Sequence, residues 1–355
     1  MERFLHGGNI YEPAPTGSWL DFSANINPLG LSPTVRHSIE ANIDEIVHYP
    51  DPHAKNLKST IAEQYGVPQD RILLGNGAAE LFYLFFYTYR PQIVLLPVPS
   101  FSEYERAALA AGCNVRYHVL ESEQDFFPHL DKLVSDMKEA DCLILGNPNN
   151  PTGVCLEHRT LLPLVESCAK QDKWLVVDES FLDFCSLREE KTLRFLVRDY
   201  PKTLVIQSLT KFYAIPGLRL GFCISAPTVC ERLSMGKDVW NVNLLAQKAG
   251  VTALEEKIYQ EESRIFLQKE SAWLFDKLNT IKGIHAYQPS ANFILLSIRE
   301  TGQTSSMLSA KLRSRGILVR DCANYPGLDE TFIRVAVRNR KEHEKLLTAL
   351  EVSVL

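Results

Sequence analysis

A chain of 355 residues is too long for one small core and suits two unequal domains. With 45% hydrophobic and 23% charged residues, its composition is that of an ordinary globular protein that folds in water. The formal net charge of −5 offers no field for a polyanion, which argues against nucleic acid as a partner. The N-terminal run from Met1 to Gly8 turns polar at once, without the apolar core of an export signal. The most apolar window, Leu81 to Tyr89, is too short to span a bilayer, so a cytoplasmic location with no membrane partner is expected. Eight cysteines show no C-x-x-C pair and no close pairing with the nine histidines, which argues against a metal site or a disulfide framework. Most read as small buried hydrophobes, while Cys322 stands out because it lies in a polar stretch.

In chain order, the first thirty residues combine His6-Gly7-Gly8-Asn9 with Asp21-Phe22-Ser23-Ala24-Asn25-Ile26-Asn27-Pro28, an arm rich in glycine and asparagine. It reads either as a surface segment held by Asx turns or as backbone and amides brought close to a ligand. A helix is expected from Pro33 to about Ile46, then a rigid exposed turn at His48-Tyr49-Pro50-Asp51-Pro52, then a helix from Lys55 to Tyr65. Ile72-Leu73-Leu74-Gly75-Asn76-Gly77-Ala78-Ala79 has the grammar of a strand, a glycine turn and a helix start whose free N–H groups bind phosphate. Strands then follow at Ile93 to Leu96, Asn114 to Val119, Asp141 to Leu145, Trp174 to Val177 and Thr203 to Ile206, alternating with helices. Such alternation of apolar strands and helices predicts a mostly parallel sheet covered on both faces, an α/β domain with its site at the strands' carboxyl ends. Gly77, Phe101, Asn150, Asp178 and Lys211 each follow one of these strands. Beyond Asn243 the grammar changes to a long helical region from about Leu244 to Leu278, three short strands and a closing helix from Lys341, which predicts a smaller α+β domain. The expected units are thus an arm over 1–30, a large domain over 31–243 and a small one over 244–355.

The densest chemistry lies in Gln207 to Gly221, where a strand end delivers Ser208, Thr210 and Lys211, and Arg219 follows eight residues after the lysine. A phosphorylated aromatic aldehyde fits that set: Lys211 forms a Schiff base, while Ser208, Arg219 and the amides of Gly77, Ala78 and Ala79 hold the phosphate. Asp178 at a strand end suits the protonated nitrogen of a pyridine ring, although taken alone it reads first as a helix cap or salt-bridge partner. Asn150 is placed to donate to a ring oxygen, and Phe101 to stack on the ring. The cofactor these groups describe is pyridoxal 5'-phosphate.

Asn147-Pro148-x-Asn150-Pro151-Thr152-Gly153, Asp178-Glu179-x-Phe181, Ser208-x-x-Lys211 and Arg219-x-Gly221 resemble, in order and spacing, the fold-type I pyridoxal-phosphate enzymes of the aspartate aminotransferase superfamily. The resemblance runs over essentially the whole chain and implies that superfamily's fold, with a mostly parallel seven-stranded sheet sandwiched by helices. The arm from His6 to Pro28 and the segment from Arg320 to Arg338 are similar to the branch whose decarboxylases and aminotransferases act on small phosphorylated substrates. The resemblance implies that Arg334 clamps a substrate α-carboxylate, and that Arg320 meets a substrate phosphate with help from His6, Asn25 and Asn324. It also implies a homodimer in which Tyr49 reaches the neighbouring subunit's cofactor phosphate. Phe181 departs from the tyrosine common in aminotransferases, which removes a hydroxyl from the cofactor's ring oxygen.

Overall fold

The structure, a computed structural model, describes residues 4, 6–15 and 17–354. The expectations placed on Met1 to Arg3 and Leu5 therefore lie outside the described residues. The arm opens with β1 (Leu20–Asp21), and α1 (Pro33–Ala41) and α2 (Lys55–Tyr65) follow. Ser32 caps α1 by accepting from the Val35 amide, with Pro33 at the first turn where no N–H is needed. α1 stops at Asn42, and a separate 3-10 turn covers Ile43–Val47, so the helix is shorter than its periodicity predicts.

The large sheet is built from β2 (Ile72–Asn76), β3 (Ile93–Val98), β4 (Asn114–Val119), β5 (Cys142–Gly146), β6 (Trp174–Asp178), β7 (Thr203–Ser208) and β8 (Leu220–Ile224). Between them run α3 (Ala78–Tyr89), α4 (Ser102–Ala110), α5 (Leu130–Asp136), α6 (His158–Lys170) and the single turn α7 (Leu209–Phe212). The spatial order is β2-β8-β7-β6-β5-β3-β4. β3, β4, β5, β6 and β7 pair in parallel, whereas β8 is antiparallel to both its neighbours. Strands β5 to β8 are buried at nearly every position, as a sheet covered on both faces requires. Two apolar layers flank it. One gathers Leu57, Leu143, Val177, Leu209 and Phe222, and the other Phe82, Phe85, Leu96, Ile144 and Ile206.

The expected long helix over 244–278 is two helices, α9 (Leu244–Glu255) and α10 (Lys257–Leu278), with α8 (Pro227–Ser234) before them. The break falls at Glu256, whose ψ of 71° leaves the helical region. α9 packs on α1 and α2, while α10 packs on α12 (Arg340–Val354) and on the second sheet. That sheet has the order β12-β13-β10-β9, from β9 (His285–Ala286), β10 (Phe293–Ser297), β12 (Arg320–Asp321) and β13 (Phe332–Ala336). α11 (Ser305–Ser314) leads into β11 (Ile317–Leu318), which pairs in parallel with β1 of the arm. The arm is thereby stitched to both sheets. Phe22 accepts from the Ala336 amide at 2.8 Å, and the Asn27 amide donates to the Lys211 carbonyl at 3.0 Å. Among the described residues, no helix is long and apolar enough to cross a membrane.

Candidate active site

Strand register explains how distant residues meet. β2 and β8 run antiparallel with Asn76 opposite Leu220, so Gly77, just past β2, faces Arg219, just before β8. A Cβ on Gly77 would lie 2.3 Å from Arg219 Nη2, and its φ of +82° is a conformation that side chains disfavour. Gly221 is equally constrained, because a Cβ there would sit 2.6 Å from the Ala78 nitrogen at the start of α3. That helix has no side-chain cap, so its first amides and the positive end of its dipole are presented beside Arg219. At the adjoining strand end, Ser208 Oγ and Thr210 Oγ1 are 2.7 Å apart, and Lys211 Nζ donates to Ser208 Oγ at 3.4 Å.

Asp178 closes β6, with Gly146 of β5 beside it in register. The Tyr104 hydroxyl donates to Asp178 Oδ2 at 2.6 Å, and the Ser180 amide donates to Oδ1 at 2.9 Å. Gly146 leaves room for that contact, since a Cβ there would come within 3.3 Å of the Tyr104 hydroxyl. A buried carboxylate without partners would cost several kcal/mol, on the order of the desolvation penalty per ion. These two donors and the lysine offset it. Burial of the Lys211 amine pushes it down to about 8; Asp178 opposes the shift, and Arg219 and Arg334 add to it. The amine lies 4.9 Å from the centre of the Phe181 ring. Next to Asp178, burial raises the Glu179 carboxyl to about 7, although the Leu193 amide, Thr192 and Gln207 all donate to it.

The cavity between these groups has a volume of about 200 Å³. Of the residues singled out in the sequence, Ala78, Ala79, Phe101, Asn150, Asp178, Ser208, Thr210, Lys211 and Arg219 line it, and Gly77 sits behind Arg219. Arg334 and Arg320 are buried and directly opposite each other on β13 and β12, so both guanidiniums leave the same face of the small sheet. Each has neutral partners to offset the crowding of like charge. Arg334 donates to Asn150 Oδ1 and, at 2.9 Å, to the Ser23 carbonyl; Arg320 donates to the Asp321 carbonyl and, at 2.7 Å, to Asn324 Oδ1. Asn25 is buried with Oδ1 unpartnered, and Arg334 Nε is buried and unpartnered as well. His6 lies at the cavity mouth, its ring 5.6 Å from that of Phe101. Tyr49 points elsewhere within its own chain: it is 76% exposed and stacks on Trp240 at 4.3 Å.

Several residues of the site escape sequence reasoning. Tyr104, three residues past Phe101 on α4, reads as an ordinary helix aromatic until the strands bring it to Asp178. Asn27 ties the arm to the lysine loop, donating to the Phe212 carbonyl at 2.7 Å and to Ser263 Oγ at 2.8 Å. Ile26, Phe82, Pro148, Ser180, Phe181 and Pro216 complete the lining. Cys322 is fully buried beside the two arginines, and burial raises its thiol to about 11, so it is packing rather than a reactive group.

A buried amine, a partnered carboxylate at a strand end and an uncapped helix start beside an arginine form a pocket whose chemistry suits a phosphorylated aldehyde. The whole chain agrees, because it belongs to the aminotransferase class I and II family, whose description it matches over residues 17–350. Its cofactor is pyridoxal 5'-phosphate, and the cradle left open by Gly77 together with the unpaired Asn25 and Arg334 atoms fits a bound cofactor and substrate. Among its relatives is the threonine-phosphate decarboxylase of Salmonella typhimurium, 36% identical over 97% of this chain and 95% of that protein. Similar solved structures include the histidinol-phosphate aminotransferase of Clostridium acetobutylicum, with a TM-score of 0.86 and 30% identity over 94% of this chain and 98% of that one. The L-threonine-O-3-phosphate decarboxylase of Porphyromonas gingivalis has a TM-score of 0.84 and 26% identity, again over 94% and 98%.

Proposed function

We propose that this chain is a carboxy-lyase that converts O-phospho-L-threonine to (R)-1-amino-2-propanol O-phosphate for cobalamin biosynthesis, acting in the cytoplasm as a homodimer. The observation that carries the reading is the pair Arg320 and Arg334, buried opposite each other on β12 and β13, with Arg334 bonded to the cavity-lining Asn150. A substrate bearing both a phosphate and an α-carboxylate answers both guanidiniums at once, and each planar fork suits a two-oxygen contact. When bound, pyridoxal 5'-phosphate supplies the sink for the electron pair left on the substrate α-carbon.

The protein's own part is orientation and proton handling. Gly77, Ala78 and Ala79, with Ser208, Thr210 and Arg219, would hold the cofactor phosphate, and Phe101 would cover the ring. Asp178, fixed by Tyr104 and Ser180, keeps negative charge at the ring nitrogen. Arg334 and Asn150 hold the carboxylate, and Arg320, Asn324, Asn25 and His6 receive the phosphate. By fixing the substrate's orientation against a bound cofactor, these anchors would decide between loss of carbon dioxide and loss of a proton. With its amine near 8, Lys211 exchanges a proton at Nζ close to neutral pH. Tyr49, exposed beside Trp240, reaches the partner's cofactor phosphate in the dimer.

O-Phospho-L-serine is the close variant, because a single methyl group discriminates by only about 1–3 kcal/mol. Histidinol-phosphate aminotransferase is the second reading, favoured by the 30% identity to the clostridial enzyme. Holoenzyme incubated with each phosphoamino acid separates them: carbon dioxide and a phosphorylated amine are expected. A keto product that requires 2-oxoglutarate, without carbon dioxide, would overturn the decarboxylase reading.

A further inference from the structure

Glu103 belongs to none of the groups above, yet it lies on the first turn of α4, two residues past Phe101, which lines the cavity. Its side chain is about nine-tenths buried and collects three donors: His6 Nε2 at 2.9 Å, the Tyr83 hydroxyl at 3.2 Å and Arg106 Nη1 at 3.3 Å. Burial acts to raise this carboxyl, but the hydrogen bond and charge of His6, with Arg106, outweigh it and hold Glu103 below the ordinary carboxylate value. Arg106 also lies 5.8 Å from the centre of the Phe4 ring, so two residues of one helix turn grip the start of the arm.

The arm is fitted to its far side as tightly. A Cβ on Gly7 would fall 2.2 Å from the Ser23 carbonyl oxygen, and the Gly8 amide donates to Ser23 Oγ at 2.7 Å. That Ser23 carbonyl is the one that accepts from Arg334. Thus His6 is held between Glu103 on one side and the Gly7–Ser23 contact on the other, its ring tilted 44° against that of Phe101.

We infer that Glu103 is the positioning residue of the N-terminal arm: by engaging His6 Nε2 it seats the arm across the cavity mouth and turns Nδ1 to the incoming phosphate. The ligand's identity in this inference rests on the proposed function. A carboxylate held at Nε2 fixes the orientation of the imidazole ring, so a His6 held this way keeps its other nitrogen in one direction. Glu103 acts through His6 and makes no contact with the reacting atoms.

A double-mutant cycle with a second, substrate-free readout tests this. Glu103→Ala and His6→Ala should each raise KM for O-phospho-L-threonine about tenfold, the scale of one charge-assisted hydrogen bond, with kcat within about twofold. The double variant should be no worse than His6→Ala, and Glu103→Gln, which keeps the acceptor oxygen, should recover part of the loss. Without substrate, amide hydrogen exchange over residues 6–8 should quicken in Glu103→Ala and not in Tyr49→Phe. Equal KM penalties for Glu103→Ala with and without His6, or unchanged exchange in the arm, would overturn the inference. If the wild-type holoenzyme releases no carbon dioxide, the proposed function fails, and the exchange comparison still decides the role of Glu103.

Discussion

Two walls face each other across the cavity, and they are built in opposite ways. The cofactor wall draws on strand ends of one sheet, where backbone register sets each position: Gly77 against Arg219, Gly146 beside Asp178, Ser208 beside Gly221. The wall proposed to bind substrate gathers His6, Asn25 and Asn27 from the arm with Arg320 and Arg334 from the small sheet, more than 290 residues away along the chain. Its members are joined by side chains and by one two-residue strand pair, β1 with β11. The difference teaches that a ladder of hydrogen bonds fixes the shared chemistry, while the choice of reaction is left to a wall that small adjustments can move.

The largest expected effect comes from the cofactor wall. Lys211→Ala should abolish both turnover and the long-wavelength absorbance of the bound cofactor, because among the described residues no other amine lines the cavity. An unchanged absorbance band would break the assignment of that wall. On the substrate wall, Arg334→Lys should keep the band intact and lower kcat/KM by about 2–5 kcal/mol, since an ammonium cannot serve Asn150, the Ser23 carbonyl and a carboxylate together. A loss of cofactor binding in that variant would show that the two walls are not separable.

The smallest and sharpest effect is on pH. The free amine of Lys211 is the form that attacks an aldehyde, and burial sets its value at about 8 rather than 10.5. Reconstitution of the apoenzyme with pyridoxal 5'-phosphate should therefore slow about tenfold per unit below pH 8 and level off above it. A limb near 10.5 would mean that the amine is not held in the low-dielectric pocket described here.

Much of the cofactor wall is legible in the chain because each residue sits next to a strongly apolar strand, and strand ends converge by rule in a parallel sheet. Asp178, Lys211 and the Gly77 turn are of this kind. Boundaries that depend on packing are less legible. The helical periodicity over 244–278 continues through Glu256, and only the docking of α9 on α1 and α2, with α10 turned toward α12, reveals the break. Tyr104 and Glu103 lie on α4 among ordinary helix formers, and nothing in local spacing distinguishes them.

By itself, then, the sequence determined the α/β architecture, the family and the cofactor, and placed Lys211 at a strand end, because these follow from local patterns of apolar strands and the polar residues just past their ends. Tertiary structure alone decided that β8 runs antiparallel and sets Arg219 on Gly77, that Arg320 and Arg334 share one face, and that Glu103 meets His6. Each of these is a contact between segments far apart in the chain, fixed by strand register and by the closing of a glycine-lined gap, and neither is written in the spacing of neighbouring residues.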